Sequence, residues 1–500
     1  MPALFINLGS ISNTVTNGNN DYVVVGGDGN NTLTFGAGND QFTLGNGNNS
    51  LTLGGGTDQI TAGLGNNTIT TSGLGADTIT LAGGNNTITV GDGQNVIQAG
   101  NGLNTVTAGG GNNSVTLGNG SDQVTTGNGA STIVVGNGTG DTVTVGLGAN
   151  TITLGTGSAD VVHAGGGSNY VFVSAVSIAS ATIMGGLTNG NGSGNRLVLT
   201  STGLVNLVGV SGFETFQLAS GGRNSLTLKD TNFARVPSGW INIIGGGSGD
   251  TVDATAFSAY KSLAVIGNSE TIFMAANNTL SLYGGSGHEV YATNDVIGVT
   301  AGTSLNIIGA NDVVYLGVNA TLGLYGGSGY SVYATSDVIG VTAGTSFSLV
   351  GSNDDVYLGA NASLSLLGGS GCIIHGTSAS IGTAAGMAFV LTGQNNAINV
   401  GGSGDTIGLV NGFGDVVTGS SAQLLNTSIT GFGTGMGIDF NDLVPGTSAF
   451  SLVYKGDTTQ GVLSIVSGSQ ATQLQLVGNY TASLFHTASD GHGGTLVSYG

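Results

Sequence analysis

Residues 27–173 repeat themselves every nine residues. They divide into sixteen units, thirteen of nine residues and three of ten. "GNGNNSLTL" from Gly45, "GLGNNTITT" from Gly63 and "GGGNNSVTL" from Gly109 share one pattern: Gly-x-Gly-x-[Asn/Asp]-x-U-x-U, with U usually apolar. A unit this short cannot enclose a core of its own. Its apolar face is covered only when neighbouring units stack on it, so the repeat demands a solenoid.

The x-U-x-U half alternates with the period of a strand buried on one face. Leu33, Leu51, Ile69, Ile88, Val106 and Ile152 are expected to point inward, each contributing about 1.5–3 kcal/mol by burial. Thr32, Thr34, Thr87 and Thr89 are expected to point outward. The Gly-x-Gly half has to turn sharply, which suggests positive φ at these glycines. A strand and a turn make half a coil, so sixteen units make eight coils. At the strand spacing of about 4.8 Å these span roughly 38 Å. The fold class is all-β: a right-handed parallel β-solenoid, the hand following from the rule for parallel crossovers.

The Asn/Asp position carries a pattern of its own. It reads Asp21, Asn31, Asp40, Asn49, Asp58, Asn67, Asp77 and Asn86, then Asn95, Asn104 and Asn113, then Asp122, Ser131, Asp141, Asn150, Asp160 and Asn169. With two units per coil, Asp40, Asp58 and Asp77 fall on one edge, and Asp122, Asp141 and Asp160 on the other. Stacked carboxylates repel unless a cation lies between them, whereas stacked amides can donate and accept along the stack. The less favoured alternative is that Asp merely stands in for Asn as a turn former.

In the register Gly26-Gly27-Asp28-Gly29-Asn30-Asn31-Thr32-Leu33-Thr34, the unit resembles the nonapeptide of the RTX family. That resemblance implies a calcium-binding β-roll, in which Asp carboxylates and glycine-loop carbonyls of adjacent coils surround each ion. Oxygen ligands of this kind suit a hard cation. It makes Asp40, Asp58, Asp77, Asp122, Asp141 and Asp160 the candidate metal ligands and Ca²⁺ the expected cofactor, at a few sites. The Asn-rich edges depart from the family pattern.

Charge narrows the partners. Six Lys and Arg stand against 26 Asp and Glu, a net charge of −20, and residues 1–195 hold no Lys or Arg. Such a chain cannot neutralise phosphates, so no nucleic-acid partner is expected. Cys372 is the only cysteine, which excludes an intramolecular disulfide. "MPALFINLGSISNTV" has no basic n-region or long apolar run, so no cleavable signal peptide is expected. No run of about 18 apolar residues marks a transmembrane helix.

After a lead-in (1–16) and the nonapeptide roll (17–173), residues 174–245 read as an irregular solenoid segment, with Pro237 and Trp240 marking a bend. Residues 246–430 carry a longer repeat. "LYGGSGHEVYATNDVIGVTAGTSLNIIGANDVVYLG" from Leu282 returns from Leu324, 42 residues on, and a degraded copy starts at Leu366. Its period reads as two coils. His288, Tyr330 and Cys372 are equivalent in the three copies, as are Tyr291, Tyr333 and His375. Residues that drift in this way suit stacked ladders on a face better than catalysis. Residues 431–500 read as a C-terminal β module capping the last coil. They resemble the C-terminal module of bacterial β-repeat proteins exported by type I secretion, which implies an uncleaved C-terminal signal and a bacterial extracellular or cell-surface location. His486, Asp490 and His492 within it read as turn residues.

No enzymatic activity is expected. The six basic residues are scattered, and the chain has no Gly-x-Ser-x-Gly elbow, His-Glu-x-x-His or P-loop. The composition resembles that of S-layer proteins. The leading expectation is a secreted, self-associating structural protein of the bacterial surface or matrix with modest calcium binding. The alternative is an adhesin or biofilm-matrix protein that binds a surface or glycan. Less favoured are a polysaccharide-modifying enzyme and an ice-binding protein. Thr68, Thr70, Thr87 and Thr89 share one face, as in ice-binding solenoids, but Gln41, Gln59, Gln98 and Gln123 interrupt the array.

Overall fold

The computed structural model describes residues 2–187, 194–236, 238–445 and 450–500. Pro237 therefore lies outside the described residues. The chain forms two compact units, Met1–Phe257 with Lys261–Val265, and Ser258–Tyr260 with Ile266–Gly500. Both are parallel β-solenoids, and the only helices among the described residues are three short 3₁₀ turns.

In the first unit, successive nonapeptide strands go alternately to two parallel sheets. One contains Thr32–Phe35, Ser50–Leu53, Thr68–Thr70 and Thr87–Val90. The other contains Gln41–Thr43, Gln59–Ala62 and Thr78–Gly83. Leu33 lies beside Leu51, Leu51 beside Ile69 and Ile69 beside Ile88, so a coil is two units. Leu33, Leu51, Ile69, Ile88, Val106 and Ile152 are all at most 1% exposed. Thr32, Thr34, Thr87 and Thr89 are exposed. The period-2 reading of the strands holds.

Gly56, Gly73, Gly84 and Gly102 have the expected positive φ, but other corner glycines have a different cause. Gly45, Gly47, Gly63 and Gly65 do not have positive φ. A Cβ on Gly65 would lie 2.1 Å from the carbonyl oxygen of Gly47, and one on Gly47 would lie 2.2 Å from that of Gly29. Adjacent coils approach backbone to backbone at these corners, and only a residue without a side chain fits.

The second unit turns its corners with different chemistry. Asn277, Asn294 and Asn311, and Asn319, Ser336 and Asn353, sit in the left-handed region with φ between 60° and 65°, a conformation Asn tolerates best among non-glycine residues. Equivalent residues in neighbouring coils are 17 or 18 apart. Thr279 pairs with Val296, and Val313 with Ser331. The 42-residue repeat therefore spans close to two and a half coils rather than two. Its equivalent strands consequently alternate between sheets: Tyr330–Thr335 lies in the opposite sheet from His288–Thr293 and Ser370–Thr377. His288, Tyr330 and Cys372 thus do not stack on one another.

At the C-terminal end the parallel ladder gives way to antiparallel pairing. Gly437–Phe440 pairs parallel with Val416–Gly419 and antiparallel with Thr495–Tyr499. Gln470–Val477 follows Ser428–Thr430 in parallel, then pairs antiparallel with Gln460–Ser467, which pairs antiparallel with Ser451–Gly456.

Candidate functional site: buried amide and carboxylate ladders

The Asn/Asp side chain of each nonapeptide turns inward, just before the strand begins. Asn31, Asn49, Asn67 and Asn86, and Asp40, Asp58 and Asp77, are at most 2% exposed. A polar group held there needs a partner inside the protein.

The Asn ladder supplies its own partners. Nδ2 of Asn49 donates to Oδ1 of Asn67 at 3.0 Å and to the carbonyl of Gly47 at 2.7 Å. Nδ2 of Asn67 repeats this with Asn86 at 3.1 Å and Gly65 at 2.7 Å. The backbone N–H of Asn49 also donates to Oδ1 of Asn67. Each amide therefore joins two coils and satisfies a glycine carbonyl of its own turn.

The carboxylates complete only half of this scheme. The N–H of Asp40 donates to Oδ1 of Asp58 at 2.9 Å, and that of Asp58 to Oδ1 of Asp77 at 3.0 Å. On the other edge, Asp122 donates to Asp141 at 2.7 Å and Asp141 to Asp160 at 3.1 Å. The ladder brings the six candidate ligands together in two runs of three, as the alternation suggested. The second oxygen has no partner in five of them: Oδ2 of Asp40, Asp58, Asp122, Asp141 and Asp160 is buried without a hydrogen bond. Asp77 is the exception, because Thr71 donates to its Oδ2. Asp21, first of the series by sequence, lies outside the buried ladder and accepts the N–H of Asn39 instead.

The electrostatics follow from this geometry. Burial lifts the Asp58 carboxyl to about 7, with the Asp77 and Asp40 charges adding to it. Burial likewise lifts Asp40 and Asp141 to about 6, with neighbouring carboxylates assisting. It raises Asp77, Asp122 and Asp160 as well. A carboxylate oxygen with no donor can be satisfied by a proton or by a cation, and nothing in the Asn ladder creates that need. Among the described residues no three His, Cys, Asp or Glu side chains converge on one point. An ion here would rely on one carboxylate oxygen from each coil, completed by backbone carbonyls and water, a donor set that suits a hard divalent cation.

The second unit has ladders of the same kind outside the nonapeptide, where the nine-residue pattern does not predict them. The N–H of Asn278 donates to Oδ1 of Asp295, and that of Asp295 to Oδ1 of Asp312. Asp337 donates to Oδ1 of Asp354. The available signal was an Asn-Asp or Ser-Asp pair that occurs twice, 17 residues apart, in each 42-residue repeat, at 294–295 and 311–312 and again at 336–337 and 353–354. Burial lifts Asp312 to about 7 and Asp354 to about 6.

The drifting residues now have a common role. Nε2 of His288 lies 3.1 Å from the carbonyl oxygen of Gly284, the Tyr330 hydroxyl donates to those of Gly309 and Gly326, and the Cys372 thiol to that of Gly351. Three chemically different groups meet glycine carbonyls at equivalent corners. Outside, Tyr291 stacks on Phe273, Tyr333 on Tyr315 and His375 on Tyr357, with centroids 4.6, 4.8 and 4.5 Å apart. The His375 ring is also held at both nitrogens, by Asp355 at 2.8 Å and Thr392 at 2.7 Å. Near the C-terminus, Asp490 accepts the N–H groups of His492 and Gly494 in a tight turn.

The fold and its ladders define a parallel β-solenoid repeat protein. The chain matches no protein-family model, no curated protein and no solved structure. No helix among the described residues is long and apolar enough to cross a membrane.

Proposed function

We propose that the chain is a secreted structural protein of a bacterial surface or extracellular matrix, a self-associating solenoid stiffened by a few calcium ions. The observation that carries this reading is the set of buried Oδ2 atoms without partners on two short ladders. They support cation binding at Asp40 and Asp58 on one edge and at Asp122, Asp141 and Asp160 on the other. Asp77, already satisfied by Thr71, is the weakest ligand. The amide stacks between them hold the coils without metal, so calcium adds stiffness and is not required for folding.

Self-association is supported at the first coil. Leu4–Gly9 pairs along one edge with Tyr22–Gly26, and Leu4 and Phe5 are 48% and 66% exposed. A strand of this kind is a template for another chain. The antiparallel strands after residue 437 support a capping role at the last coil of the second unit, and the resemblance of residues 431–500 to type I secretion modules supports export. Negative-stain microscopy with calcium and with chelator tests the reading. Sheets or filaments that disperse in chelator are expected, and monodisperse particles in both conditions contradict it.

One observation favours the adhesin alternative. Outward Gly298 lies between Ser281 and Tyr315 in the ladder, and a Cβ on it would meet nothing within 4 Å. Tyr283 and Tyr315, each 48% exposed, line the resulting cleft, and Gly340 with Tyr325 and Tyr357 repeats it. An aromatic face beside an open floor suits a sugar ring. Retardation of the protein in gels containing neutral polysaccharide, lost in Tyr315→Ala/Tyr357→Ala, would favour this alternative.

A further inference from the structure

The two faces of the first unit are built from one repeat, yet they differ. On one face the outward positions form two columns in register. The first runs Thr14, Thr32, Ser50, Thr68, Thr87, Thr105, Gln123, Thr142. The second runs Thr16, Thr34, Thr52, Thr70, Thr89, Thr107, Thr125, Thr144, eight threonines without interruption. The opposite face carries Gln41, Gln59, Val96 and Gln98 among its threonines. Three of the four glutamines that break the Thr pattern in the sequence thus lie on the other side of the molecule, and only Gln123 falls within this array.

From this geometry we infer that the threonine face binds ice. The array has the properties that such a ligand requires. Over these eight rows it is neutral, although the chain carries a net charge of −20, because every outward position from Thr14 to Thr144 in the two columns is Thr, Ser or Gln; the next row is Val161 and His163. It is regular, with rows about 4.8 Å apart along the coils and about 7 Å apart across the strand, two residues at about 3.3 Å each. These repeats lie close to those of oxygen rows on a prism face of hexagonal ice. It is rigid. Threonine is β-branched and confined at χ1, so hydroxyl and methyl groups are held in repeating positions and little freedom is lost on contact with a solid. A soluble ligand has no use for eight evenly spaced rows, six of them Thr-x-Thr, whereas a crystalline surface engages all of them at once, and each row adds to the others.

This inference is independent of the calcium reading, since the array depends on the coil register and the ladders lie inside. The test uses the full chain in calcium-containing buffer, with ice itself as the probe. Ice-crystal shaping and thermal hysteresis are measured for the wild type, for Thr52→Tyr/Thr89→Tyr in the unbroken column, and for Thr61→Tyr/Thr116→Tyr on the opposite face. Circular dichroism and melting curves check that each variant keeps its fold. Faceted crystals and a hysteresis that falls at least fivefold in Thr52→Tyr/Thr89→Tyr, but not in the opposite-face pair, are expected. Unshaped ice with the wild type would overturn the inference, as would an equal loss in both variants. Self-association that Thr52→Tyr/Thr89→Tyr abolishes, without any ice shaping, would assign the face to a second copy of the chain and would overturn it too.

Discussion

At the scale of single residues, the choice between Asn and Asp decides whether a buried corner is complete. Asn49 satisfies a coil neighbour and a glycine carbonyl with one amide, while Asp58 leaves Oδ2 without a donor. The pH dependence follows. The Asp58 carboxyl binds its proton more tightly in the fold, at about 7, than at the ordinary value of 3.8. The stability this provides is complete below pH 3.8 and is lost as pH rises through 7. The lower values of Asp40 and Asp141, about 6, place their loss earlier in the same window. In chelator the melting temperature should therefore fall between about pH 4 and pH 7, the reverse of ordinary acid denaturation. Asp58→Asn/Asp141→Asn should flatten that fall and melt higher than the wild type at pH 8, because an amide restores the missing donor. A melting temperature that rises with pH in chelator would show that these carboxyls are not held as described.

At the scale of strand and corner, packing dominates. Ile69→Ala removes a side chain 1% exposed and should cost about 2–5 kcal/mol in denaturant unfolding. Gly65→Ala should cost about 1–3 kcal/mol, although Ala is the better residue in most settings, because its Cβ meets the Gly47 carbonyl. A neutral Gly65→Ala would mean that the corner can spread. Much of this level was legible in the chain. Alternation in "TIT" and "SLTL" located the buried column, and the Asn/Asp order sorted six aspartates onto two edges. What escaped needed three dimensions. Coil-to-coil contact at Gly47 and Gly65 leaves the same sequence mark as a positive-φ turn. The 42-residue period conceals a half-coil, so the faces of His288 and Tyr330 could not be told apart by alignment. The face to which Gln41, Gln59 and Gln98 belong depends on counting strands, not residues.

At the scale of the molecule, the proposed function is that of a scaffold. The proposal assigns residues 431–500 both to capping and to export. Deleting them should leave the protein inside a type I-secreting host, whereas deleting residues 2–16 should leave export intact. Normal secretion of the C-terminal deletion would separate the module from export. The central claim, however, is that cations complete the buried carboxylate ladders, and isothermal titration with calcium at pH 7.5 tests it most directly. Saturable binding to the wild type at a few sites is expected, with proton release that shows in the buffer dependence of the heat. It should be lost when Asp40, Asp58, Asp77, Asp122, Asp141 and Asp160 are all replaced by Asn in a chain that keeps its β-sheet signal. No binding above background in the wild type, or the same binding in the six-Asn chain, would contradict the account.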